Sequence, residues 1–83
     1  MLNYEKLDYL IAEAIKAGAN TFAAIDDGAV HQEALRLLEE DKNRRGHNAK
    51  PAFRHIDSRL QSLRKRGLIK HLKGQGWVMA RTD

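Results

Sequence analysis

The chain has 83 residues, a formal net charge of +4 and no cysteine, so it is long enough for one domain with a modest core but has no thiols for a disulfide framework or a thiolate zinc site. No apolar run approaches the roughly twenty residues of a membrane span, and the start, MLNYEKLDYL, carries acidic charge early and lacks a secretory leader's basic and apolar blocks. A single cytoplasmic domain spanning residues 1–83, without a membrane partner, is the expectation.

Residues 1–41 hold three basic against nine acidic side chains, a net of −6, whereas residues 42–83 hold twelve against two, a net of +10. Such a polarised chain either keeps a solvated surface or meets a polyanion with its basic half. No internal repeat, low-complexity tract or long flexible linker interrupts it.

The first element reads as a helix over about residues 4–17. Leu7, Leu10, Ile11, Ala14 and Ile15 follow helical spacing while Glu5, Asp8, Glu13 and Lys16 lie off that stripe. Asn3 suits the N-cap, Leu2 can staple onto Leu7, and Gly18 is the stop. Thr21, Phe22 and Ile25 then supply apolar anchors in a stretch too short for periodicity to separate strand from helical turn. Asp26-Asp27-Gly28 breaks the chain, and either Asp can cap the next helix.

A second helix is expected over about 29–42, with Val30, Ala34, Leu37 and Leu38 on one stripe and an acidic end, Glu39-Glu40-Asp41, that conflicts with the helix dipole. NRRGHNAK, residues 43–50, reads as a polar basic loop. Pro51 suits the first position of a third helix over about 51–66, in which Phe53, Ile56, Leu60 and Leu63 form the apolar series. Gly67 ends it, with Lys65 and Arg66 well placed in the last turn. The period then changes: Leu68–Leu72 and Trp77–Ala80 read as a hairpin turned through Lys73-Gly74-Gln75-Gly76, packed on the helices by Trp77 and the Leu/Ile residues. Arg81 belongs to the tail. The fold class is therefore mainly α with a small antiparallel β-hairpin.

The third helix carries the functional signal. Opposite its apolar series lie Arg54, Ser58, Ser62 and Lys65, flanked by His55 and Gln61, and Asp57 is its one acid. A helix charged only for solubility usually alternates acid and base at i,i+4. This face instead offers donors suited to base edges and to phosphate. Arg59 sits at the border, able either to reach round to a ligand or to bury its stem with its head in water.

The series Arg59-Leu60-x-x-Leu63-x-x-x-Gly67-Leu68-Ile69, followed by a short glycine-turned hairpin closing on Trp77, resembles the winged helix-turn-helix superfamily over residues 51–80. It is most similar to modules of phage-encoded or restriction-associated DNA-binding proteins. The first helix and Thr21–Ile25 fit that superfamily's opening elements loosely. The resemblance implies three helices plus a C-terminal wing, with the third helix in the major groove of double-stranded DNA and the wing beside it. On that basis Arg54, His55, Ser58, Arg59 and Ser62 would face the major groove. Arg44, Arg45, Lys50, Lys70, Lys73 and Gln75 would touch phosphate or carry the wing contact. The eight-residue loop departs from the usual turn of three or four residues. The hairpin lysines fit a plain core-sealing hairpin equally well, as guards against edge pairing.

The expected function is that of a small phage or bacterial transcriptional regulator. The alternatives are a winged-helix protein–protein interaction module, which the acidic first half favours, and RNA binding, for which no aromatic stacking pair is evident. A homodimer is compatible with the first helix. No enzyme is expected: His31, His47, His55 and His71 make no HExxH pattern, Ser58 and Ser62 lack an activating base, and KGQG is an incomplete phosphate loop. No cofactor or metal is implied.

Overall fold

The computed structural model describes residues 3–80; the Leu2 staple and the Arg81 tail lie outside them. The chain is mainly helical with a C-terminal antiparallel hairpin. Its elements are α1 (Glu5–Lys16), α2 (Phe22–Ile25), α3 (Gly28–Arg45), a 3-10 turn (Gly46–Asn48), α4 (Ala52–Lys65), β1 (Ile69–Leu72) and β2 (Gly76–Met79).

Local chemistry explains the boundaries. Asn3 Oδ1 accepts the Glu5 N–H at 2.9 Å, satisfying a donor that the first turn cannot use itself. At the far end of α1 the Ala19 and Gly18 N–H groups return to the Ala14 and Ile15 carbonyls, the paired closure that stops a helix. The short Thr21–Ile25 stretch is helical because the Thr21 hydroxyl caps it, accepting the Ala24 N–H at 3.1 Å. At the end of α4 the Leu68 N–H bonds to the Leu63 carbonyl and the Gly67 N–H to that of Arg64, with Gly67 at φ +78.

Two expectations need correction. The second predicted helix runs on to Arg45, and Gly46–Asn48 form a 3-10 turn, so most of the expected 43–50 loop is helical. Asp41 accounts for this order: its buried carboxylate accepts the Lys50 N–H at 2.9 Å and faces Arg45 Nε at 3.3 Å. The extension also removes the conflict with the dipole. Glu39, Glu40 and Asp41 now sit inside the helix, and Lys42, Arg44 and Arg45 occupy its last turn. Pro51, in turn, stands just before α4, which begins at Ala52.

The core gathers Leu7, Ile11 and Ile15 of α1, Ile25, Val30, Ala34 and Leu37 of α3, Ile56, Leu60 and Leu63 of α4, and Ile69 and Trp77 of the hairpin. Phe53 is not among them: it is 52% exposed. The buried stripe of α4 consists of Ala52, His55, Ile56, Arg59, Leu60 and Leu63, with Ala52 and Arg59 only partly covered. At 100° per residue this stripe is rotated by roughly 50° from the one that Phe53, Ile56, Leu60 and Leu63 define.

The hairpin pairs Ile69 with Met79, Lys70 with Val78, His71 with Trp77 and Leu72 with Gly76. The Gln75 N–H closes its turn on the Leu72 carbonyl. It is tied to the helices through the Trp77 N–H, which donates to the Asn20 carbonyl at 2.8 Å. Gly76 permits that approach, because its φ is +81 and a Cβ built there would run into the Asn20 carbonyl. Gly76→Ala should therefore cost more than about 2 kcal/mol, since left-handed strain adds to a backbone clash. Gly74→Ala, at φ +86 with open space around it, should cost less. Urea denaturation of the two variants measures the difference.

Candidate nucleic-acid interface

Two of the five residues expected on the major-groove face turn toward the other helices instead. His55 is 1% exposed, so its outward placement is corrected. It lies where α1, α3 and α4 meet, with Nδ1 3.2 Å from the Tyr4 hydroxyl and Nε2 3.7 Å from Asp41 Oδ2. Nε2 makes no hydrogen bond. Burial, then the nearby Asp41 charge, pushes the Tyr4 hydroxyl upward, so it stays protonated. Burial likewise pushes His55 below its ordinary value; Lys50 and Arg45 add to this, and Asp41 opposes it. His55 is a neutral core histidine at neutral pH.

Arg59 is the second correction. Its Nε and Nη2 donate to Asp8 Oδ1 and Oδ2 at 2.7 and 2.8 Å, a two-pronged ion pair between α4 and α1. Its guanidinium carbon also lies 4.9 Å from the centre of the Tyr4 ring. Hydrogen bonding to Asp8 is the main cause of its raised pKa. This guanidinium is committed within the fold and does not face the outer surface of α4.

The outer face of α4 is what these commitments leave over. Arg54 and Ser58 are exposed one turn apart, as expected, and Ser62 is half-buried. Lys70, Lys73 and Gln75 are exposed on the hairpin, and Arg44 and Lys50 flank the α3–α4 connection. Arg45 is largely exposed but leans on Asp41. Among the described residues Arg44, Lys50, Arg54, Lys70 and Lys73 make no salt bridge. Several of the acids, by contrast, are matched. Glu33 is buried and held by a fork from Arg36, Glu40 pairs with the same Arg36, and Glu39 lies 3.7 Å from Lys42. The Arg36 hydrogen bond keeps the Glu33 carboxyl below its ordinary value.

Sequence reasoning placed Arg54 and Gln61 on this face but missed the residues gathered with them at its two ends. Near the start of α4, Phe53, Arg54 and Asp57 line an open cleft of about 450 Å³ with Phe22 of α2. Near its end, Gln61 and Arg64 line a second cleft with His71 and Trp77 of the hairpin. There Gln61 Oε1 accepts from Arg64 Nε and Nη2 at 3.2 and 2.9 Å, orienting the guanidinium. His71 stands edge-on to Trp77, with ring centres 4.9 Å apart. One signal was available for Arg59: Asp8 and Arg59 each adjoin the apolar stripe of their own helix, which suits a pair across the seam. Nothing in the local pattern separates Phe53 from a core phenylalanine.

Among the described residues no three His, Asp or Glu side chains gather as a metal site, and no helix is long and apolar enough to cross a membrane. No protein-family model, curated protein or solved structure matches the chain.

Two stability measurements check these placements. Arg59→Ala leaves Asp8 without its fork and should lose about 2–3 kcal/mol in urea denaturation, whereas Arg54→Ala should leave the midpoint near wild type. For His55, the unfolded chain binds a proton below about pH 6.5 more readily than the folded one. Its contribution is therefore full above that pH and declines as pH falls. Between about pH 7.5 and 5.5 the wild-type melting temperature should drop more than that of His55→Gln.

Proposed function

We propose that the domain is a winged helix that binds double-stranded DNA, with the outer face of α4 in the major groove and the β1–β2 hairpin as the wing. Arg54, Ser58 and Ser62 meet the base edges and adjoining phosphates. Arg44, Lys50, Lys70 and Lys73 hold the backbone on either side, and Gln75 sits at the wing tip. The role is that of a small transcriptional regulator of phage or bacterial type. His55 and Arg59 act in it only by holding α4 in place.

One observation carries the reading: the basic surplus is unpaired while the acids near the core are matched. Asp8, Glu33, Glu40 and Asp41 each face a guanidinium within 3.4 Å. Among the described residues Arg44, Lys50, Arg54, Lys70 and Lys73 make no salt bridge, which leaves their charge available to a polyanion. The short connection from α3 to α4, fixed through Asp41, favours the same reading. It brings the pair closer to the compact helix–turn–helix spacing than an eight-residue loop would.

Titration of a labelled random duplex by fluorescence anisotropy tests it. Four phosphate contacts give a log–log salt slope of about −3.6, so affinity should fall by roughly a hundredfold between about 50 and 200 mM salt. Arg54→Ala should weaken binding, and Lys70→Ala/Lys73→Ala should weaken it and flatten the slope. Binding that ignores salt, or no binding at the lower salt, would overturn the duplex reading in favour of a protein-interaction module.

A further inference from the structure

Asp57 and Phe53 are the two side chains on the outer face of α4 that phosphate binding leaves unexplained. Asp57 is exposed and makes no salt bridge among the described residues, although Arg54 stands three positions before it. It lies in the second turn of α4, beyond the first turn where the helix dipole favours an acid. On a face that meets a polyanion, an unpaired carboxylate is repelled by phosphate. Phe53 is 52% exposed, while smaller side chains, Ala52 and Ile56, pack inward around it. Both residues open on the same cleft as Arg54, backed by the half-buried Phe22.

We infer that this cleft is the base-reading end of the interface, where Phe53, Arg54 and Asp57 read three different base features in the major groove. The inference rests on the duplex-binding reading above. The chemistry of each residue selects its feature. A carboxylate only accepts, so among the base edges it matches the cytosine 4-amino group. The unpaired Arg54 fork matches O6 and N7 of guanine, and the exposed Phe53 ring matches the thymine methyl. An acid is tolerated here because the exocyclic amine lies on the groove floor, away from the phosphates that would repel it. Arg54 also stays free of Asp57 in the structure, which leaves both to be satisfied by bases instead of by each other.

The test is in-vitro selection from a random duplex library, run in parallel on the wild type and on Phe53→Ala, Arg54→Ala and Asp57→Asn. The wild type should yield a short preferred site containing thymine, guanine and cytosine positions. Asp57→Asn should lose the cytosine preference, and Arg54→Ala the guanine preference, each by roughly tenfold or more. Replacing thymine by deoxyuridine in the selected site should weaken wild-type binding but leave Phe53→Ala unaffected. Circular dichroism and melting of each variant confirm that the fold is intact; all three side chains are exposed, so it should be.

Salt-dependent duplex binding with no preferred site, or with a site unchanged in all three variants, would overturn the inference while leaving the proposed function standing. Absence of duplex binding at low salt would overturn both. If Phe53→Ala instead changes the sedimentation of the protein without altering the selected site, the patch is a self-association surface, and its base-reading role is overturned.

Discussion

A guanidinium largely withdrawn from water needs a partner of fixed geometry, and Arg59 finds one in both oxygens of Asp8. Because the two residues sit on different helices, this fork does more than hold α1 against α4. Turning α4 by one residue would swing Arg59 through about 100° and leave two partly buried charges unmatched. The pair therefore sets the rotation of α4 about its own axis. Tyr4 supports it twice, placing its ring beneath the Arg59 guanidinium and its hydroxyl against His55. With that rotation set, Ile56, Leu60 and Leu63 point inward, and Phe53, Arg54, Asp57 and Ser58 point out.

The same economy of charge runs through α3. Acidic residues dominate the first half of the sequence, yet within the fold several of them are occupied. Arg36 serves both Glu33 and Glu40, and Asp41 gathers the Lys50 N–H and Arg45 around its carboxylate. The overall charge of +4 is therefore a poor guide to the potential over the outer face of α4 and the hairpin, where, among the described residues, Arg54, Lys70 and Lys73 make no salt bridge. Burying Asp41 also converts a polar stretch of chain into an ordered turn. An interior carboxylate demands hydrogen bonds, and the Lys50 N–H supplies one of them.

The element order was readable from apolar spacing, glycine stops and the change of period after Gly67. The capped turn at Thr21 lay within reach of the same logic. Rotation of α4 was not readable. Phe53 outranks His55 and Arg59 in hydrophobicity, so a stripe drawn through large apolar residues takes Phe53 inward. Partners more than fifty positions distant in sequence reversed that choice: Tyr4 for His55 and Asp8 for Arg59. The length of α3 was hidden for a related reason. Its last turn contains no apolar residue to extend the pattern, and the interaction that orders the chain beyond it is a buried carboxylate, which a sequence presents as surface. The unpaired cations Arg54, Lys70 and Lys73 were legible because exposure is what charge predicts.

The hydrogen bond from Trp77 to Asn20 also bears on the order in which the domain assembles. It joins the last strand to the connection after the first helix, so it closes a loop containing most of the chain. Closing such a loop costs more entropy than forming a turn of helix, and it is repaid only when the intervening helices are already docked. The two-stranded ribbon has little stability without that backing. Loop-closure entropy therefore favours docking of the helices before the hairpin, and it ties the placement of the exposed hairpin lysines to completion of the rest of the domain.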